Sequence, residues 1–521
     1  MHTDTHMWRW PSSRTVVVTI AVVLFIVCSL LPVAYLLTSL VSSKNISYSS
    51  MWLDARQQGL LWNTAQLGVG TAALATALGA PLGLVLARIA IRGKVLLRVV
   101  LAAPVLLPPY VVALAWTYLG NRSDVLSQWT YSLPAAIVVL SLVFYPLSML
   151  ATEVALRRID GRLEEAAVLS APPSFVLRRI TLPLVAPGVL AAALIIFVLS
   201  VSEFGVPGLL RVRVYTTEVF TAFAALYDFS RAMLLALPLL VLCLIVATVA
   251  VALAGERLVT TRRGSGTRPA LLEGWRGPAE AVAILVAAIA LGVPVVVLVR
   301  ESLGVNSLSA VLEGSGRAIA NSLVLATIGA TVVVGLAVWL GYARARSRGR
   351  LGPLADVLFV VAFAVPSTIV GVGLIGVWNR PGLLGTFYGT DVMFVLGYLA
   401  RFVPVAALAI AATTRYVPVS HEEAAAVSGA GWFRTMARIV LPQIRLGLLT
   451  AWVIAFVLAF GELGVSILVA PAGETTLPIR IYTIIANTPP SHVAALALLQ
   501  TAVVLSPLAI LAMAMSVREA R

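Results

Sequence analysis

The sequence predicts an all-α integral membrane protein of about 12 transmembrane helices, arranged as two parallel six-helix repeats. Three observations lead there. Of 521 residues, 60% are hydrophobic and 11% charged, with a mean hydropathy of +0.99. Soluble domains carry about 45–50% apolar and about 25% charged residues, so a soluble enzyme of this length is excluded. The apolar residues fall in blocks of about 20 or more, long enough to cross a hydrocarbon core of about 30 Å. Finally, the two halves share residues at a nearly fixed offset.

The first block, residues 16–40, follows Arg9 and Arg14. It exceeds the signal-peptide core of about 7–15 residues, and no small-x-small cleavage site follows, so it is expected to be an uncleaved span. Further blocks run over 65–86, 97–119, 135–156, 186–210 and 233–253, then over 281–299, 323–342, 357–377, 392–412, 446–469 and 493–513. A basic stretch between the two sets divides the chain into a first repeat 1–255, a linker 256–280 with Arg257, Arg262, Arg263, Arg268 and Arg276, and a second repeat 281–521.

The net charge of +15 resides in loops. Arg88, Arg92, Lys94, Arg98, Arg157, Arg158, Arg162, Arg178 and Arg179 follow the second and fourth blocks. Arg344, Arg346, Arg348, Arg350, Arg415, Arg434, Arg438 and Arg445 occupy the matching loops of the second half. The alternate loops are poorer in Arg and Lys, with Arg211, Arg213 and Arg380 as exceptions, so both termini are expected in the cytoplasm. No basic stripe with interleaved aromatics appears, which argues against nucleic acid as a partner. Cys28 and Cys243 lie inside apolar blocks, and His2, His6, His421 and His492 are scattered, so neither a disulfide nor a metal site is expected.

The duplication is visible residue by residue. Asn63-Thr64 matches Asn321-Ser322 and Pro108 matches Pro366, both at an offset of 258 residues. Glu164-Glu165-Ala166-Ala167, Ser170 and Phe175 match Glu422-Glu423-Ala424-Ala425, Ser428 and Phe433. One residue is then missing from the first copy, and Arg179-Ile180, Leu182-Pro183 and Glu203 match Arg438-Ile439, Leu441-Pro442 and Glu462. Thr216-Thr217 is aligned with Thr475-Thr476 at the same shifted offset. An even number of spans per repeat makes the repeats parallel, related by a pseudo-twofold axis along the membrane normal, with a pathway expected between them.

The loops after the fourth block of each repeat carry the most specific signal. From Glu423 to Pro442 the residues read E-A-A-x3-G-x9-I-x-L-P. Small Ala166-Ala167 and Ala424-Ala425 let a partner surface approach closely, Gly429 and Gly431 permit a turn without Cβ strain, and Pro183 and Pro442 suit the first turn of the next helix. This motif resembles the EAA loop of the membrane permease subunits of ATP-binding-cassette importers. Two copies in one chain resemble the fused permeases of the ferric-iron group, related to thiamine, polyamine and phosphonate permeases.

The resemblance implies a type I importer-like fold, with a short helix in each loop inserting into a groove on an ATPase subunit. It places Glu165, Ala166, Ala167 and Ala171, and Glu423, Ala424, Ala425 and Gly429, at that contact. Glu164, Leu182, Pro183, Glu422, Leu441 and Pro442 complete the two coupling loops. In the first copy Ala171 replaces the glycine, so its docking is expected to differ. Implied partners are two copies of an ABC ATPase, a periplasmic or lipid-anchored substrate-binding protein and the bilayer of a prokaryotic inner membrane. The binding protein is expected to land on the 203–231 and 462–492 loops. No phosphate-cradling G-x4-G-K-[ST] motif occurs in the chain, so ATP and Mg are expected on partner subunits, with no cofactor bound by this chain.

No catalytic constellation is found. Charges within spans are costly and tend to face protein or a wet cavity. Arg401, whose counterpart is Val143, and the equivalent Glu203 and Glu462 are therefore candidates for the pathway or its gate; structural pairing and turn capping are the alternative roles. Pro104, Pro108, Pro109 and Pro366 are expected to kink their spans. The function expected is that of an importer permease, with ferric iron favoured over thiamine, polyamine or phosphonate by resemblance. The rival from another class is an ion-gradient-driven secondary transporter using the same carboxylates.

Overall fold

The computed structural model describes residues 13–42, 55–254, 273–304 and 308–519, apart from Ala90, Arg92, Arg348, Arg350 and Leu383. Arg9, His2, His6 and the linker as far as residue 272, with Arg257, Arg262, Arg263 and Arg268, lie outside the described residues. Every regular element among the described residues is helical. Nine helices are long and apolar enough to cross a membrane, and three sharply bent pairs raise this to twelve spans if each pair is counted as one.

The first repeat contains α1 (Ser13–Ser39), α2 (Ala55–Arg88), the pair α3 (Lys94–Leu106) and α4 (Pro109–Gly120), and α5 (Leu133–Arg158). A short helix α6 (Gly161–Val168) then precedes α7 (Pro173–Ser202) and α8 (Phe229–Leu253). The second repeat contains α9 (Arg276–Ser302), α10 (Gly314–Arg346), the pair α11 (Leu351–Ala364) and α12 (Ser367–Trp378), and α13 (Val392–Thr414). The short α14 (Val419–Val427) follows, then the pair α15 (Trp432–Gln443) and α16 (Arg445–Phe460), and α17 (Pro490–Pro507). The last residues assigned to the linker, from Arg276, form the first turn of α9.

In lipid, helices gain little from apolar contact and associate through close packing. A Cβ on Gly341 of α10 would come within 2.8 Å of the Ala407 carbonyl oxygen of α13, and the equivalent Gly83 of α2 lies against the backbone of Met149 in α5. Among the nine unbroken helices the fourth spans are the most enclosed, 67% buried for α5 and 72% for α13, against 28% for α1 and 33% for α9.

The outlying spans are exchanged between the repeats. α1 packs chiefly on α10, α12 and α13, and α9 packs on α3, α4 and α17. Phe25 meets Phe359 edge-on at 5.4 Å, and Arg380 lies 4.9 Å above the Tyr35 ring. On the other side Arg122, just past α4, donates to Glu301 of α9 at 2.6 Å. Each sequence repeat thus completes the other's wall.

The prolines expected to kink their spans do more. The α3/α4 pair bends by 90° at Pro108 and the α11/α12 pair by 93° at Pro366. Leu107, held extended at ψ 135° before Pro108, shows the cause, because the proline ring disfavours helical backbone in the preceding residue. Other prolines act through wide turns. Five-residue π turns end two residues before Pro32, Pro183, Pro294 and Pro442, where the missing amide forces the hydrogen-bond ladder to re-route. Pro183 and Pro442 therefore sit in helices already running, two residues past a π segment.

Candidate functional site

Two regions of the fold gather the candidate residues. The first is the arginine-rich face, where both EAA loops are held to the end of their repeat's second span. Asp160 caps α6 by accepting from the Arg162 amide at 3.2 Å. Glu164 turns inward, where its Oε1 accepts from Arg88 Nη2 at 2.6 Å and from Thr181 Oγ1 at 2.7 Å. In the second loop Glu422 accepts from Arg346 Nε at 2.8 Å and from the Tyr342 hydroxyl at 2.7 Å. Arg88 and Arg346 share the offset of Glu164 and Glu422, so the arrangement is built twice. Glu164 and Glu422, grouped with the coupling residues in the sequence, turn toward the protein because each meets the guanidinium of an arginine at the end of its repeat's second span.

The remaining loop residues divide by exposure. Ala166, Glu423, Ala424, Gly429, Leu182, Pro183 and Pro442 are exposed, and Glu165, Ala167, Ala171 and Leu441 are half-buried. Ala425 is buried, and with His421, Ala424 and Ser428 it lines an open groove beside the loop. Leu169 and Val427, absent from the expected contact set, are 89% and 91% exposed at equivalent positions. A large apolar residue ending a short polar helix was the signal available for them.

The loops end differently. Gly429 adopts φ +77°, the Ala430 amide bonds to the Ala425 carbonyl and the Gly429 amide to that of Ala426, which is a Schellman turn. Ala171 has no positive φ, and its amide bonds to the Ala167 carbonyl at 2.9 Å. The next helix begins after Pro172 in one copy and after Gly431 in the other. The missing residue therefore falls before Pro172, not after Phe175, and Phe175 and Phe433 are not equivalent.

The second region is central. α7 ends at Ser202 and helix resumes at Gly205, and Glu203 Oε2 accepts from the Val206 amide at 2.7 Å across the gap. Glu462 does the same after α16, its Oε1 accepting from the Val465 amide at 2.9 Å. Its other oxygen accepts from Arg401 Nη1 of α13. These gaps meet the proline breaks: a Cβ on Gly205 would lie 2.7 Å from Tyr110 and one on Gly461 2.9 Å from Pro108, while Gly464 packs on Ser367. Tyr110 also donates to Gln500 Oε1 of α17 at 2.5 Å, and Gln500 Nε2 donates to the Phe460 carbonyl at 3.3 Å.

Four interruptions thus converge where the repeats meet, the sort of irregular backbone tolerated at membrane depth only inside protein or along a cavity. Nearby, α7, α8, α11 and α13 enclose an apolar cavity of about 200 Å³ lined by residues such as Val198, Ala247, Phe363 and Pro404. Among the described residues no group of three or more His, Cys, Asp or Glu is placed to hold a metal ion.

The loops after these gaps correct one further reading. The Asn63 amide donates to the Arg213 carbonyl and the Tyr215 amide to Thr64 Oγ1, while Asn321 donates to the Thr475 carbonyl and the Leu477 amide to Ser322 Oγ. Arg213 and Tyr215 are therefore equivalent to Thr475 and Leu477, and the alignment of Thr216-Thr217 with Thr475-Thr476 does not hold. Within these loops Val206, Tyr215 and Leu477 are fully buried, and the first loop is exposed chiefly around Leu226 and Tyr227.

A duplicated multi-pass fold with interrupted central helices and twin EAA loops defines a membrane transport permease. The family described as "binding-protein-dependent transport system inner membrane component" matches residues 79–261 and 333–518, and the chain belongs to it. An Fe(3+)-transport system permease protein of Haemophilus influenzae is 24% identical over 434 residues, covering 82% of this chain and 84% of the relative. A ferric transport system permease protein of Actinobacillus pleuropneumoniae is 24% identical over 424 residues, covering 74% and 61%. A molybdenum transport system permease protein of Escherichia coli (strain K12) is 33% identical over 158 residues, 28% of this chain and 69% of its own.

Proposed function

We propose that the chain is the translocation subunit of an ATP-driven importer, moved by two ATPase subunits docked on the EAA loops and supplied with ferric iron by a separate binding protein. The observation that carries this reading is the pair of short helices α6 and α14, each fixed to the same face by the same Arg–Glu contact, buried in the first copy and half-buried in the second. Hydrolysis of ATP with Mg belongs to the partners, and the chain itself needs no cofactor. The loop face is cytoplasmic by the positive-inside rule, with both termini on that side of a prokaryotic inner membrane. Ferric iron is favoured because the relatives named for it match most of this chain, whereas the molybdenum relative matches about a quarter.

In this reading the halves rock about the four central breaks. Glu203 and Glu462 cap the ends of interrupted helices, and Arg401 holds Glu462, so these three residues form the gate region and control when it opens. Reconstitution with the ATPase and the binding protein in proteoliposomes tests the reading. ATP-dependent uptake of radiolabelled ferric iron is expected, with no uptake of thiamine, spermidine, methylphosphonate or molybdate. Uptake driven by an ion gradient without ATP would establish the secondary-transporter reading instead.

A further inference from the structure

We propose that Arg88–Glu164 and Arg346–Glu422 are force-bearing tethers, and that Glu164 and Glu422 are positioning residues that transmit movement of each coupling helix to α2 and α10 rather than contacts for the ATPase. This rests on the reading above that the EAA loops are driven by ATPases.

A short helix lying on a membrane face by apolar contact alone could slide without moving the spans beneath it. A buried ion pair prevents sliding, because separating it leaves an uncompensated charge in a low-dielectric site. The side chains of Arg88 and Glu164 are 2% and 0% exposed, those of Arg346 and Glu422 9% and 15%. Each tether carries a third group, Thr181 of α7 in the first and Tyr342 of α10, the helix of Arg346 itself, in the second, so the two copies preserve the ion pair while its surroundings diverge. In the second repeat a further ion pair lies beside the tether: Arg344, two residues before Arg346 on α10, donates through Nε to Asp356 Oδ1 of α11 at 2.6 Å, and α11 runs to the central break at Pro366. The adjacent glutamates, Glu165 and Glu423, are left to face the partner.

The test compares three forms of the reconstituted complex with its ATPase and binding protein, using radiolabelled ferric iron as the probe solute. These are the natural chain, the pair Glu164→Gln with Glu422→Gln, and the fourfold exchange Arg88→Glu, Glu164→Arg, Arg346→Glu, Glu422→Arg. The glutamine pair is expected to keep its ATPase and to hydrolyse ATP, while iron taken up per ATP falls on the order of tenfold, as for loss of a buried charge partner. The exchange restores part of that ratio. Where the glutamine pair lowers the yield of folded chain, Arg88→Lys with Arg346→Lys supplies the same readout, since it keeps the charge but loses the forked guanidinium. An unchanged ratio, or loss of the ATPase from the glutamine pair, overturns the tethers. A natural chain that couples no ATPase overturns the functional reading instead.

Discussion

Arg401 of α13 donates to Glu462, while the position equivalent to Arg401 in the first repeat is Val143 and the carboxylate equivalent to Glu462, that of Glu203, caps its helix break without such a partner. The duplicated core is therefore asymmetric in charge at the place where its four helix breaks converge.

Glu462→Gln is expected to keep the bond to the Val465 amide but to strand the Arg401 guanidinium. The cost is on the order of 3 kcal/mol, as for other buried pairs that lose one member. Glu203→Gln strands no cation and is expected to change stability by less than about 1 kcal/mol. Thermal unfolding of the two purified variants in the same detergent checks the difference. Equal melting temperatures would mean that the Arg401–Glu462 pair carries no load in the resting state.

Leu169 and Val427 are the most exposed large apolar residues of the two EAA loops. Leu169→Asp with Val427→Asp is expected to leave folding and membrane insertion unchanged and to reduce the ATPase recovered with the purified chain by more than about tenfold, because an apolar anchor would meet a desolvated pocket. Size-exclusion profiles of the chain alone and densitometry of the co-purified ATPase measure both halves of this expectation.

The loop ends should respond differently to the same type of change. Gly429→Ala forces a side chain into φ +77° and is expected to cost about 1 kcal/mol locally, loosening the turn after α14. Ala171→Gly removes no such strain and is expected to be slightly destabilising. Hydrogen exchange at the Ala430 amide, which bonds to the Ala425 carbonyl, reads the first effect directly, and exchange in the natural chain sets its baseline.

The exchanged first spans predict a cross-link. With Cys28 and Cys243 changed to Ser, Phe25→Cys with Phe359→Cys places two thiols where rings now meet at 5.4 Å. A short bifunctional maleimide is expected to join them, so that cleavage of the linker between the repeats leaves the first-repeat fragment covalently attached to the second-repeat fragment. Separation of the two fragments after the same treatment would show that α1 does not pack against α11.

Much of this was legible in the residues. Span positions follow from length and apolar composition, the parallel repeat from matched residues such as Asn63 and Asn321, and the paired loops from the spacing between Glu423 and Pro442. Asn63 and Asn321 illustrate the limit: their offset revealed the repeat, but the hydrogen bonds they make show that the loops they clasp differ by three residues in length. Thr216-Thr217 and Thr475-Thr476 looked equivalent because identity in a loop carries no geometric constraint, whereas a helix start held by a side chain does.

What the sequence by itself determined is what a bilayer imposes locally: twenty-residue apolar spans, basic loops on one face, and prolines that must interrupt a hydrogen-bond ladder. Tertiary structure alone decided which face of each residue meets which neighbour. It turned Glu164 and Glu422 inward onto Arg88 and Arg346, set Arg401 against Glu462, made Pro108 and Pro366 into right-angle breaks, and crossed α1 and α9 to the opposite repeats. The physical reason is that a carboxylate or a proline has one composition but several ways of being satisfied inside a membrane. The choice among them depends on partners brought close by packing, tens or hundreds of residues away along the chain.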